Sequence, residues 1–298
     1  MKVKWGEMMQ EAILYDKHED NSVTCNVCHH RCKIAAGKRG FCAVRENQAG
    51  KLIALNYGKT IAAHIDPIEK KPLYHFMKGT YSYSLASVGC NMRCAWCQNV
   101  EISQSPRTHH KIIGEDISPE EHISRAVKHG VESIAYTYSE PTIFIEYALD
   151  IMKLAHKKGL KNVWVSNGYM TQEALDVILP YLDAINIDYK GANDTIMVKT
   201  TAAKSSLVLD TIDYIKAHDV HLEVTTLVVP TVNDTIEELK SIADMIKARL
   251  GENTPWHISR FFPAWKMKDA APTNVQLMKD AADYARSIGL KHVHLGNI

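Results

Sequence analysis

Seven short apolar runs, separated by amphipathic stretches, constrain this chain more than any other feature. They read as strands at 81–87, 133–138, 162–166, 184–189, 221–229, 256–262 and 292–297. Each but the last is followed by a helical pattern. Ser118 with Pro119 and Glu121 forms a capping box, Asp234 with Glu237 gives a similar signal, and Thr171 caps another helix. Gly130, Gly159 and Gly289 each close a helix just before the next strand. Repeated right-handed strand–helix–strand units imply an α/β fold with a parallel sheet covered by helices. A doubly wound open sheet and a full or partial barrel both satisfy the pattern, although no GxGxxG follows the first strand. In either case chemistry belongs at the C-terminal strand ends.

Residues 1–79 differ in character and are expected to form a small cysteine-rich metal-binding domain and linker ahead of a core at 80–298. They hold four cysteines, the run AAGKRGF, the hairpin-like GKLIALNYGK and the polar connector HIDPIEKKPLYHF. At 298 residues and 46% hydrophobic content the chain can bury a sizeable core. Its net charge of +1, with both signs interspersed, gives no basic stripe for a nucleic acid. No run of about 18 apolar residues is present, and the start is too charged for a signal peptide. A cytoplasmic protein with neither membrane nor nucleic-acid partner is therefore expected.

The cysteines fall into two groups: Cys25, Cys28, Cys32 and Cys42, then Cys90, Cys94 and Cys97 within SVGCNMRCAWCQN. An odd count, tight spacing and a reducing compartment favour metal ligation over disulfides. The second group follows the first strand directly, in a loop running to about Ile117. A closed zinc site or a saturated 4Fe–4S cluster takes four ligands. Three thiols at a strand end suggest a cluster with one iron open to a substrate or cofactor. The alternative is zinc completed by a distant histidine.

CNMRCAWC resembles the CxxxCxΦC signature of radical S-adenosylmethionine (SAM) enzymes, with Trp96 in the aromatic slot. The likeness extends through GKTIAAHIDPIEKKPLYHF, YSEPT, VSNGY, IDYKG, LVVPTVND, RFFPAWKM and HLGN. These stretches resemble the radical SAM member of the Memo and Amme domain system, related to pyruvate formate-lyase activating enzyme. The resemblance implies a partial (βα)6-type TIM barrel. It also implies an oxidoreductase-type enzyme whose three cysteines hold a 4Fe–4S cluster with SAM chelated at the open iron. Reduction then yields methionine and a 5′-deoxyadenosyl radical that takes hydrogen from substrate, with a flavodoxin- or ferredoxin-type electron donor. Such relatives usually continue past the final GN into a tail with another cysteine pair, which is expected to be missing here.

The same resemblance places Ser139 and Glu140 where the SAM ammonium is received, and Asp188 and Lys190 in a DxK motif that contacts SAM. Trp96 is expected beside the adenine, with Gln98 and Asn99 capping the loop near it. For several of these residues a plainer role stays open. Glu140 could simply open a helix, Asn167 could be a turn residue or a ribose contact, and Asp188 with Lys190 could be an ion pair. Arg260 is expected to meet the SAM carboxylate or a substrate anion. Tyr136 and Tyr138 read equally as core or substrate wall. Val165 stands where activating enzymes carry a cation-site Asp, which makes a bound monovalent cation doubtful.

Cys25, Cys28, Cys32 and Cys42 supply a full thiolate set. Structural zinc is the first expectation, an auxiliary 4Fe–4S cluster the second, and a mixed site with His29 or His30 the third. The substrate could be that of a Memo- or Amme-domain system, or the glycine of a partner glycyl-radical enzyme. The first is preferred because the ferredoxin-like insert of many glycyl-radical activases is missing. A non-catalytic, zinc-stapled binding protein is the competing class.

Overall fold

The computed structural model describes residues 10–298; the first nine residues of the expected 1–79 segment lie outside the described residues. Eight strands form one sheet: β1 (Ala62–Pro67), β2 (Tyr81–Ala86), β3 (Ser133–Tyr136), β4 (Lys161–Ser166), β5 (Ala184–Asp188), β6 (His221–Val228), β7 (Trp256–Arg260) and β8 (Val293–Gly296). They lie side by side in chain order. β2 to β8 are parallel, and β1 runs antiparallel along β2. β1 and β8 do not pair with each other, so the sheet is a partial barrel.

Alternation along the strands sets its two faces. Ile134, Tyr136, Trp164, Ile185, Ile187, Val224, Trp256 and Ile258 are buried in the main core with the surrounding helices. The intervening positions, among them Ala135, Val163, Ala184, Asn186, Glu223 and His257, face the barrel interior, which is part apolar and part polar. Ser118 caps helix Pro119–Lys128 by accepting from Glu121 N, and Thr171 caps Gln172–Ile178 by accepting from Ala174 N. Asp234 does not cap as expected. Thr235 accepts from Glu238 N at the start of Ile236–Leu250, while the Asp234 carboxylate accepts from Thr231 N at 2.7 Å. That hydrogen bond closes a tight turn in which Thr231 holds a positive φ.

The stretch HIDPIEKKPLYHF, read from sequence as connector, supplies most of β1 and a strap that plugs the barrel from below. Ile68 and Leu73 pack on Ala135, Val163 and Ala184 inside it. The backbone N–H groups of Tyr74 and His75 donate to the Glu223 carboxylate at 3.1 and 2.8 Å, and Asn186 donates to the Pro72 carbonyl at 2.8 Å. Glu223 also accepts from His221 and His257. Burial alone would raise its pKa, yet these four donors bring it down to about 2.

The N-terminal segment carries two small antiparallel sheets, one of Tyr15–Lys17, Val23–Cys25 and Lys33–Ile34, the other of Gln10–Glu11, Lys51–Ala54 and Arg45–Gln48. It docks beside the upper barrel rim. Cys28 bridges to Met170, and Thr171 Oγ1 donates to the Asn26 carbonyl at 2.6 Å. Among the described residues no helix is long and apolar enough to cross a membrane.

One buried group makes the fold acid-labile. His122 is fully buried and shares hydrogen bonds with Thr60, Tyr83 and Tyr147 at 2.7–2.9 Å. Burial, with help from Arg125, pushes it from 6.5 down to about 3. The folded state therefore binds fewer protons than the unfolded one across that window. Its contribution is complete above about 6.5 and is lost as pH falls toward 3. At pH 5 the loss is roughly 2 kcal/mol. Urea unfolding at pH 7 and pH 5 is expected to differ by that amount more in the wild type than in His122→Gln; equal differences would refute it.

Candidate active site

The loop after β2 gathers the Cys90, Cys94 and Cys97 thiols on one cavity of about 440 Å³ at the C-terminal strand ends. Gly89 makes the loop's entry possible. Its φ is +106°, and a Cβ there would lie 2.8 Å from Val44 of the N-terminal segment. Arg107 then braces the loop from behind, donating to the Met92 and Phe41 carbonyls at 3.1 and 2.7 Å and to the Cys90 carbonyl at 2.5 Å. Met92 N donates to Cys90 Sγ at 3.3 Å, and Cys97 Sγ lies 3.2 Å from Ser103 Oγ. Burial pushes Cys94 up to about 12 and Cys90 well above its ordinary value. Thiolates at these positions need a cation to form.

The strand ends supply the opposing polar groups. Ser139, Glu140, Asn167, Asp188, Lys190, Trp96 and Gln98 all line the same cavity. Glu140 is the most heavily bonded: Oε1 accepts from Thr142 N, Thr142 Oγ1 and Ser166 Oγ, and Oε2 accepts from Asn167 N at 2.9 Å. It caps the turn after β3 and clasps it to the end of β4. Asn167 donates to Cys90 Sγ at 3.7 Å and to Asn91 Oδ1 at 2.8 Å, so its amide braces the cysteine loop. Gly168 completes that turn at φ +71°. Ser139 Oγ donates to the Ser87 carbonyl at 2.6 Å.

Asp188 and Lys190 form an ion pair. Burial would lower Lys190, but Asp188 and the neighbouring thiols Cys94 and Cys90 raise it well above the ordinary range. Asp188 Oδ1 is buried without a hydrogen-bond partner. Three converging thiols and an orphaned carboxylate oxygen in one cavity fit an iron–sulfur cluster carrying a chelated amino acid.

One expectation changes, and the two tyrosines divide between the readings left open for them. Arg260 does not reach the cavity: it shares strand parity with Trp256 and Ile258, which face the outer core, and its Nε donates to the Thr273 carbonyl at 3.1 Å. Tyr136 also faces outward, bonding Asn162 at 3.1 Å, whereas Tyr138 lines the cavity. Sequence reasoning missed Lys70 and Lys71, which line the cavity from the strap, and Arg107 behind the loop. The signal for the lysines was present in the unusually charged DPIEKK of a supposed connector.

Cys25, Cys28, Cys32 and Cys42 line a second, smaller cavity together with Arg45 and Phe41, and all four are free thiols. A lone zinc needs its sulfurs about 2.3 Å from a single point, and these four thiols around one cavity are the set it would use. A cluster of several irons, each meeting its own thiol, is the other occupant that four cysteines fit. Of the two histidines of the mixed-site reading, His30 is committed to the Asn91 carbonyl at 2.7 Å, whereas His29 Nε2 is buried without a hydrogen-bond partner.

The Radical SAM superfamily model matches residues 85–246. An uncharacterized protein of Methanocaldococcus jannaschii is 43% identical over 290 residues, covering 97% of this chain and 86% of its own. The pyruvate formate-lyase-activating enzyme of Clostridium pasteurianum is 24% identical over 168 residues, 53% of this chain and 66% of its own. Among solved structures, a radical SAM methyltransferase from Sphaerobacter thermophilus shares the fold with a TM-score of 0.56 at 12% identity, covering 74% of this chain and 67% of that one.

Proposed function

Because the chain belongs to the radical SAM superfamily, an enzyme family that uses a 4Fe–4S cluster and SAM, we propose that Cys90, Cys94 and Cys97 bind that cluster and that the surrounding strand ends hold SAM. When bound, this pair supplies a 5′-deoxyadenosyl radical able to abstract hydrogen. The residues prepare the site for it. Arg107 and Asn167 fix the cysteine loop, Glu140 fixes the turn above β3, and Asp188 offers a free carboxylate oxygen beside Lys190. The observation that carries this reading is the convergence of three thiols and four strand ends on one cavity.

The substrate is proposed to belong to a Memo- or Amme-type modification. The β2–α connection, 87–118, carries only short helices and the two-residue strand Glu115–Asp116, without room for a ferredoxin-like insert. Glycyl-radical activation is the second reading, supported by the activating-enzyme relative. Anaerobically reconstituted protein with SAM and reductant is expected to form 5′-deoxyadenosine, and more of it with a Memo- or Amme-domain partner. A stable glycyl radical by EPR on a partner enzyme would favour the second reading instead.

We further propose that the N-terminal thiols hold an auxiliary iron–sulfur cluster. Phe41 N donates to Cys32 Sγ at 3.4 Å and its carbonyl receives Arg107, which also holds the Cys90 carbonyl. The two cysteine sets are thus joined through one backbone segment and one side chain. Reconstituted wild type is expected to hold about eight irons, and Cys28→Ser about four, with the N-terminal segment unfolding. About four irons with one zinc in the wild type, or an unchanged iron count in the variant, would overturn the assignment.

A further inference from the structure

The cavity has a wall that the cluster and SAM leave unassigned. Asp66 lies next to the end of β1, and Lys70 and Lys71 follow in the strap; all three precede the segment shared with the superfamily, which starts at residue 85. Machinery common to the superfamily lies within that segment. Groups that reach the same cavity from outside it are the natural place for what distinguishes this enzyme, its substrate.

These groups form a charged floor. The Lys71 side chain is 1% exposed, with its ammonium 2.6 Å from Asp66 Oδ2 and 4.6 Å from the centroid of the Tyr138 ring. Lys70 Nζ is 2.8 Å from Asp66 Oδ1, and the Tyr138 hydroxyl donates to Asp66 Oδ2. Lys70, Lys71 and Tyr138 all line the cavity. Two ammonium groups therefore share one carboxylate. The nearby Glu69 is occupied elsewhere, accepting from Gly79 N at 2.7 Å. Lys71 can donate three hydrogen bonds and makes one, to Asp66.

A buried ammonium with one of its three donors used is costly unless something completes its shell. Tyr138 is held over it deliberately by the backbone. Its φ is +64°, and its carbonyl accepts from Asn99 at 2.8 Å. Lys70, whose side chain is 64% exposed, is free to swing toward a ligand entering from the mouth.

We propose that Lys71 and Lys70, positioned by Asp66 and Tyr138, form the substrate subsite of this cavity and select a small molecule bearing a carboxylate or phosphate. The proposal rests on the radical SAM reading and narrows it. A neutral peptide glycine would leave the surplus positive charge on the floor uncompensated, whereas a small anion satisfies it within the cavity the three thiols also line.

The test is equilibrium dialysis of the reconstituted protein against labelled inorganic phosphate and, separately, labelled malonate, at ionic strength held constant with sodium chloride. At least one of the two is expected to bind saturably at one equivalent per chain, and the one that binds identifies the anion class. Lys71→Met is expected to weaken it at least about tenfold and Lys70→Met about threefold. If Lys71→Met does not fold because Asp66 is left unpaired, Asp66→Asn/Lys71→Met removes both charges and is expected to show the same loss. No saturable binding of either anion, or equal affinity in wild type and variants, overturns the proposal. Competitive displacement by SAM overturns it too, since the lysines would then be holding the SAM carboxylate. SAM binding to the wild type is measured in parallel; its failure defeats the cofactor reading, while anion binding still reports on the lysines.

Discussion

Cys94→Ser is expected to leave no 5′-deoxyadenosine above background and to remove about four irons per chain. With only three thiols on the cavity, each is needed to hold the cluster, and a serine hydroxyl is too weak a ligand to replace one. Cys94 is the most informative of the three because it lines the cavity together with Lys190 and burial holds its thiol protonated unless a cation is bound. It also packs against Trp96, Met197 and Phe261. Serine nearly preserves the volume, so circular dichroism and melting of the apoprotein should match the wild type. That separates loss of the cluster from loss of the fold. Iron retained by the N-terminal thiols would remain in the variant. Wild-type rates of 5′-deoxyadenosine formation in Cys94→Ser would sink the assignment of the cluster to this loop.

The barrel was largely legible because its outer face obeys simple rules. Strands such as Ser133–Tyr136 and Trp256–Arg260 announce themselves by apolar runs, and Ser118 and Thr171 cap helices where their spacing says they should. The inner face escaped the same reasoning. Asn186 and Glu223 sit inside the barrel, so the segment that fills it is itself polar and charged, and HIDPIEKKPLYHF reads like a solvated linker. Only long-range hydrogen bonds, such as His75 N to Glu223, reveal that it is a plug. Arg260 failed for a different reason. Strand parity with Ile258 already places it on the outer face, and proximity to a strand end was given more weight than parity. Asp188 passes the same parity test, sharing its face with Ala184 and Asn186.

Arg45→Met is expected to cost about 3–5 kcal/mol and to lower the melting temperature by on the order of 10 °C. Arg45 joins the N-terminal segment to helix Ile145–Lys157 through a bidentate pair with Glu146, at 2.9 and 2.7 Å, with both side chains 2% exposed. Burial works against the Arg45 charge, but Glu146 and the nearby Cys25 and Cys42 raise its pKa far beyond need. Methionine fills the space and leaves the Glu146 carboxylate buried with only Ile13 N, at 3.2 Å, to answer it. The double variant Arg45→Met/Glu146→Leu removes both charges and is expected to regain most of the lost stability. Arg45 also lines the cavity of the four N-terminal thiols, where its charge works against the burial that raises Cys25. Stability and metal content should therefore part company: the double variant melts like the wild type yet loses iron from the N-terminal site more readily to a chelator. If both variants keep that iron as firmly as the wild type, Arg45 serves only to pair with Glu146; if the single variant melts unchanged, the pair does not hold the segment to the barrel.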